Sequence, residues 1–194
     1  MVNEIERNNI INDVLIPSLQ RLYEMDYFNI CIGVSERNIC ARLAHHMEII
    51  MHRNNNYSGY FADVEYNRMN DGSMKHYDNS QKVSPDMVAD LILHKRNAER
   101  NMLAVEMKRW NNYNKRKDDR ERLKSVVSSP KDGKDDCVYD TTLGAFIIYS
   151  EEKVLVEFYG KMNGEGDWIG EIEFICRLEG NKCLSLEIIR EDWK

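Results

Sequence analysis

Apolar residues recur at helical spacing over residues 4–24, through Ile10, Ile11, Val14, Leu15, Leu19 and Leu22, and predict an opening helix that Pro17 kinks or breaks. SERNICARLAHHMEIIM predicts a second helix: Ser35 suits an N-cap, and Ile39, Cys40, Leu43, Met47 and Ile50 form its apolar stripe, with Glu36 at the head. In GYFADVEYN, Ala62, Val64 and Tyr66 alternate with Asp63 and Glu65, which predicts a strand with one apolar and one acidic face. After a polar loop, ADLILHKR and NMLAVEMK, separated by NAER, read as an antiparallel hairpin. DDRERLKSVVSS reads as a helix with Leu123, Val126 and Val127 inward, and LGAFIIYS as a central strand. KVLVEFYG and GDWIGEIEFICRLEGNKCLSLEIIR alternate as further strands, so the order is two helices, three strands, a helix, a strand and a β-rich remainder.

The hairpin raises a chemical question, because its second run ends in Glu106-Met107-Lys108. A turn centred near residues 98–99 sets position 90 opposite roughly position 107, so the start of one strand meets the end of the other. Period-two alternation puts Glu106 and Lys108 on one face, where Asp90 can join them from across the ladder. Two carboxylates suit a hard divalent cation such as Mg²⁺, and the Met107 carbonyl offers a further oxygen. Beside them an ammonium can orient a water or neutralise charge on a phosphate under attack.

Other chemistry is thinned by what the sequence lacks. It has no GxxxxGK phosphate loop and no GxSxG elbow, and its five histidines show no HExxH spacing. Its five cysteines, Cys31, Cys40, Cys137, Cys176 and Cys183, form no CxxC pair and suggest neither a disulfide framework nor a zinc site, which implies a reduced, cytoplasmic protein. The start MVNEIERNNI is polar, without the look of a signal peptide, and no apolar run is long enough to span a membrane. A net charge of −6 argues against indiscriminate nucleic-acid binding but not against a local basic patch.

Taken in order, the helix with Glu36, the strand with Asp63 and Glu65, then Asp90, Glu106-Met107-Lys108, a helix and a strand resemble the PD-(D/E)xK nuclease superfamily over residues 35–150. The strings VEYNR, DLILHKR and LAVEMK are similar to a group of uncharacterised bacterial proteins within it. The resemblance implies a restriction-endonuclease-like αβββαβ core in an α/β fold, a mixed sheet flanked by helices. Residues 1–34 would then be an N-terminal helical segment and 151–194 a β-rich C-terminal extension of a single 194-residue domain. It also implies Asp90 and Glu106 as acidic ligands of Mg²⁺ or Mn²⁺, Lys108 as the catalytic lysine and Glu36 as an accessory glutamate. The literal dipeptide is Pro85-Asp86, which leaves Asp86 as the ligand if the strand begins earlier. Glu36 has a second role open to it, at the positive end of its helix dipole.

KRWNNYNKRKDDRERLK concentrates basic residues with Trp110 and Tyr113 in an otherwise acidic chain, directly after the ExK strand. Arg109, Lys115, Arg116 and Lys117 there, with Arg96 in the hairpin, are candidates for a nucleic-acid backbone; a solvated helix and loop is the plain alternative. The expected function is hydrolysis of phosphodiester bonds by a metal-activated water, with DNA as the substrate that the resemblance implies. The rival reading is a catalytically inactive nucleic-acid-binding or regulatory module of the same fold. No membrane partner is expected, and a homodimer is left open.

Overall fold

The computed structural model describes residues 4–65, 77–79, 82–84, 89–95, 100–128 and 140–194. The opening stripe forms helix α1 (Glu4–Asn9), a π-helical stretch (Ile10–Leu15) and helix α2 (Ile16–Cys31). The widened turns end just before Pro17, whose ring lacks the N–H that would bond back and would crowd the preceding turn. Proline therefore changes the helical register without ending the helix. Tyr27 and Ile30 extend the buried stripe beyond residue 24, which carries α2 to Cys31.

Helix α3 (Glu36–Met51) starts where Ser35 accepts the N–H of Asn38. Buried Asp26 of α2 accepts from Arg42 Nε at 2.8 Å and contacts His46 Nε2 at 2.6 Å, which ties α3 to α2. That tie fixes where the first turn of α3, with Glu36, meets the sheet.

The strands are β1 (Phe61–Val64), β2 (Tyr77–Asn79), β3 (Lys82–Ser84), β4 (Leu91–His94), β5 (Arg100–Arg109), β6 (Asp140–Tyr149), β7 (Lys153–Met162), β8 (Glu165–Glu179) and β9 (Lys182–Trp193), with helix α4 (Arg116–Val127) between β5 and β6. Seven of them hydrogen-bond in the order β1-β4-β5-β6-β7-β8-β9, while β2 and β3 pair as a separate ribbon where the sequence reads as a polar loop. Among the described strands only β5 and β6 run parallel, because α4 carries the chain back across the sheet between them. The protein is thus α/β, with a mixed sheet whose central strand is β6. The expected C-terminal extension is the other half of that sheet, since β7 pairs directly with β6.

Two apolar clusters sandwich the sheet. The π-helical stretch, α2 and α3 cover one face, with Ile39, Leu43, Met47, Leu103, Val105 and Met107 among its buried residues. α4 covers the other with Leu123, Val126 and Val127 against Ile92, Ala104, Phe146 and Ile148. Covered on both sides, β5 and β6 are continuous apolar runs, as strands buried on two faces require. Gly144 lets α4 lie close: a Cβ there would stand 3.2 Å from Tyr159 Cβ and 3.4 Å from Leu123 Cβ.

Against the expectation of unpaired cysteines, Cys176 and Cys183 form a disulfide across the β8–β9 hairpin, with Cα atoms 6.0 Å apart. The seven-residue separation that looks unremarkable in sequence spans a tight turn. Cys31 and Cys40 are free thiols. Among the described residues no helix is long and apolar enough to cross a membrane.

Candidate metal centre at the end of strand β5

The hairpin register sets the geometry. Leu91 faces Val105, Ile92 faces Ala104 and Leu93 faces Leu103, and one extra residue on β5 then shifts the ladder so that His94 faces Asn101. One step beyond Leu91, Asp90 stands across from Glu106 rather than from residue 107. The irregularity corrects the position expected from a simple hairpin and gives Asp90 and Glu106 the same parity. The turn near residues 98–99 lies outside the described residues, as do Asp86 and Arg96.

Strand β5 runs on past the start of β4, so its last backbone N–H groups on that side lack a strand partner. Side chains take them: Met107 N donates to Asp90 Oδ2 at 2.8 Å, and Arg109 N donates to Glu36 Oε1 at 2.9 Å. On the opposite side, Trp110 N donates to the Tyr149 carbonyl at 2.7 Å. Glu36 therefore does not simply complement its helix dipole; it reaches from the first turn of α3 to the end of β5 and also accepts from Asn112 Nδ2 at 2.9 Å. The Met107 side chain points into the core beneath α3.

On the α4 face, Glu106 is almost wholly buried and its Oε1 receives Arg122 Nε at 3.0 Å. Arg122 also pairs with Asp119, one turn earlier on α4 and 1% exposed. Lys108, 17% exposed, lies between two carboxylates, with Nζ 3.6 Å from Glu36 Oε2 and 3.7 Å from Asp119 Oδ2. Both separations exceed hydrogen-bond reach, so charge rather than directed bonds holds the ammonium. Asp119 Oδ2 is buried with no hydrogen-bond partner.

Proton affinities follow from this crowding. Burial raises Glu106 to about 8, against the pull of Arg122, and the Asp90 charge adds to the rise. Burial also raises Asp90, although the Met107 N–H, the Lys108 charge and a hydrogen bond with Glu106 oppose it. The two carboxyls therefore act directly on each other, and the pair holds a proton above the usual carboxylate range. Burial would lower the Lys108 ammonium, but Asp119, Asp90, Glu36 and Glu106 together raise it.

With all groups ionised, four carboxylates surround two cations, Lys108 and Arg122. The excess of two negative charges matches one divalent ion, and the Asp90–Glu106 pair is the donor set that would hold it, with waters completing the shell. Among the described residues no three His, Cys, Asp or Glu side chains gather as a preformed cage. The residues present therefore fit a hydrated Mg²⁺ or Mn²⁺ on two carboxylates and not a fully protein-ligated ion.

The basic residues expected to meet nucleic acid divide into two sets. Arg109 donates to the Ile30 carbonyl at 2.7 Å and to Glu151 at 2.6 Å, and Arg116 donates to the carbonyls of Asn112, Arg109 and Trp110. Their guanidinia hold the β5–α4 loop. Lys115 and Lys117 are exposed at the start of α4, as is the Tyr113 ring, with the Arg116 guanidinium over it. The Glu65 side chain pairs with Arg37 while its backbone N–H donates to the Asp90 carbonyl at 3.2 Å, and His94 contacts Asp63.

Sequence reasoning did not bring Asp119 and Arg122 to the site, because they lie in a run that reads as a basic segment facing nucleic acid or as a solvated helix and loop. The signal was periodicity: Asp119 is one turn before Leu123 and two before Val126 and Val127, so it belongs to the buried stripe. Comparison with protein-family models, curated proteins and solved structures finds no match to this chain.

Proposed function

We propose that this protein is a metal-dependent nuclease that hydrolyses phosphodiester bonds, most readily in DNA. The observation that carries the reading is the meeting of Asp90, Glu106 and Lys108 on one face at the end of β5, with Glu36 closing the strand edge. The succession α3, β1, β4, β5, α4, β6 also runs in the αβββαβ order that the resemblance implies, with β6 parallel to β5.

A Mg²⁺ or Mn²⁺ bound by Asp90 and Glu106 would supply Lewis acidity and a nucleophilic water. The chain's own residues do the rest. Asp90 spends one oxygen on the Met107 N–H, which orients the carboxylate, and Arg122 holds Glu106 from behind. Lys108 keeps its ammonium charged under four carboxylates, without a directed bond to either near neighbour, so its N–H groups can turn to a phosphate oxygen as charge builds there. Lys115 and Lys117, exposed at the start of α4, would meet the flanking backbone.

The engagement of Arg109, Arg116, Arg120 and Arg122 within the chain favours a second reading, a catalytically silent module of the same fold, because among the described residues of the β5–α4 segment it occupies guanidinia that phosphates would need. Supercoiled-plasmid and single-strand cleavage in Mg²⁺ and Mn²⁺, run beside calorimetric metal titration, separates the two. Cleavage by wild type that disappears in Asp90→Ala supports the nuclease. Metal-loaded wild type that binds DNA without cutting it supports the silent module.

A further inference from the structure

We propose that Arg122 is a built-in counter-ion of this site, which holds Glu106 in the cation-free protein and falls back on Asp119 when a divalent ion takes Glu106. The inference rests on the cation-site reading above and adds the device that regulates occupancy. Arg122 is shared between two nearly inaccessible carboxylates on different elements, Glu106 of β5 and Asp119 of α4. Its position opposite a carboxylate already in contact with Asp90 gives it the electrostatic task of a metal ion, supplied from within the chain.

Two features make the contact exchangeable. Asp119 lies three residues before Arg122 on the same helix, so the guanidinium keeps that partner whether or not it holds Glu106. The Arg122 side chain is 29% exposed, with room to withdraw toward solvent, whereas Glu106 has none. A divalent ion and a guanidinium on one carboxylate repel each other strongly at such separations in a partly buried setting, so full engagement of both is disfavoured. Lys108 is a poorer candidate for this role, because it touches Glu36 and Asp119 rather than Glu106.

The test is calorimetric titration of the full chain with MgCl₂ at a series of pH values, comparing wild type, Arg122→Gln and Arg122→Lys each at the pH where it binds most tightly. Loss of the guanidinium charge in Arg122→Gln is expected to tighten Mg²⁺ binding tenfold or more, while Arg122→Lys, which keeps the charge, stays close to wild type. Equal or weaker binding by Arg122→Gln overturns the competition but leaves the cation site standing. Absence of Mg²⁺ binding in wild type and Arg122→Gln alike removes the site and its counter-ion together. A second measurement needs no variant: the NMR signal of the Arg122 Nε–H, shifted by its bond to Glu106, is expected to move and to exchange faster with solvent as Mg²⁺ saturates wild type. A signal that stays in place at saturation overturns the proposal.

Discussion

Replacing Glu106 by Gln should stabilise the metal-free protein at alkaline pH, although it removes the charge that pairs with Arg122. The folded state holds the Glu106 proton up to about pH 8, whereas the unfolded chain releases it near 4.5. Between those values the native state binds more protons than the unfolded one, so the contribution of Glu106 is present at low pH and is lost as pH rises through 8. The 3.5-unit difference corresponds to about 5 kcal/mol at most. Relaxation and water entry reduce it, and ~2–5 kcal/mol is the expected gain of Glu106→Gln above pH 8. Glutamine keeps the shape and can still accept the Arg122 Nε–H.

Urea denaturation in EDTA from pH 5 to pH 9 reads this directly. The advantage of Glu106→Gln should be small near pH 5, should grow by about 1.4 kcal/mol per pH unit at its steepest, and should level off above pH 8. In a chain of this size the plateau amounts to roughly 5–20 °C in Tm. Mg²⁺ should then restore wild type, by binding the folded state alone, and leave Glu106→Gln nearly unmoved. A deficit in Glu106→Gln that is the same at every pH would refute the argument, because it would mean that the Arg122 pairing outweighs the desolvation of the carboxylate.

Lys108→Met should cut cleavage by about a hundredfold or more while binding Mg²⁺ no more weakly than wild type, since an ammonium acts on charge in the transition state and its removal leaves the carboxylates more exposed to the ion. Asp90→Ala should lose metal binding and cleavage together, and should also lower unfolding stability by about 1–3 kcal/mol, because the Met107 N–H loses its acceptor. Charge reversal at Lys115 and Lys117 should lower the salt dependence of DNA binding by about two phosphate contacts in a log–log plot, whereas Arg116→Ala should instead loosen the β5–α4 loop and show in protease sensitivity. Reduction of the Cys176–Cys183 bond should lower stability by about 2–3 kcal/mol, checked by thiol counting and melting with and without reductant.

Element types were legible wherever one periodicity ran without interruption. The stripes of α2, α3 and α4 and the apolar runs of β4 to β9 give the layers of the α/β fold, because burial on one or both faces leaves a direct mark on the sequence. Register was less legible. An extra residue in β5 changes which positions face each other without altering the apolar pattern, so Glu106 rather than its neighbour meets Asp90. The β2–β3 ribbon and the Cys176–Cys183 bond were hidden for a similar reason, since three-residue strands and the pairing of β8 with β9 across a short hairpin leave no strong period in the sequence. Charge was the least legible feature: a string of arginines reads as a phosphate-binding face, yet Arg116 holds carbonyls, Arg120 grips Glu157 in a bidentate pair at 2.6 and 2.7 Å, and Arg122 enters the carboxylate cluster.

These pieces share one cause, the unequal length of neighbouring strands. Because β4 begins at Leu91 while β5 continues to Arg109, the last turns of backbone in β5 stand at the sheet margin with N–H groups that need acceptors. Carboxylates from the strand before and the helix before supply them, and so two acidic side chains are drawn to a place where Glu106 and Lys108 already emerge on one face. The parallel return to β6 then obliges α4 to cross over that same face, and Gly144 allows it close enough for Asp119 and Arg122 to wall the pair in. Each of these carboxylates has a structural task on one oxygen: Asp90 on the Met107 N–H, Glu36 on the Arg109 N–H, and Glu106 and Asp119 on Arg122. Burial answers that crowding by raising the proton affinity of Asp90 and Glu106, so the cluster gains its full negative charge only as those protons leave, and the proposed cation would act by taking their place.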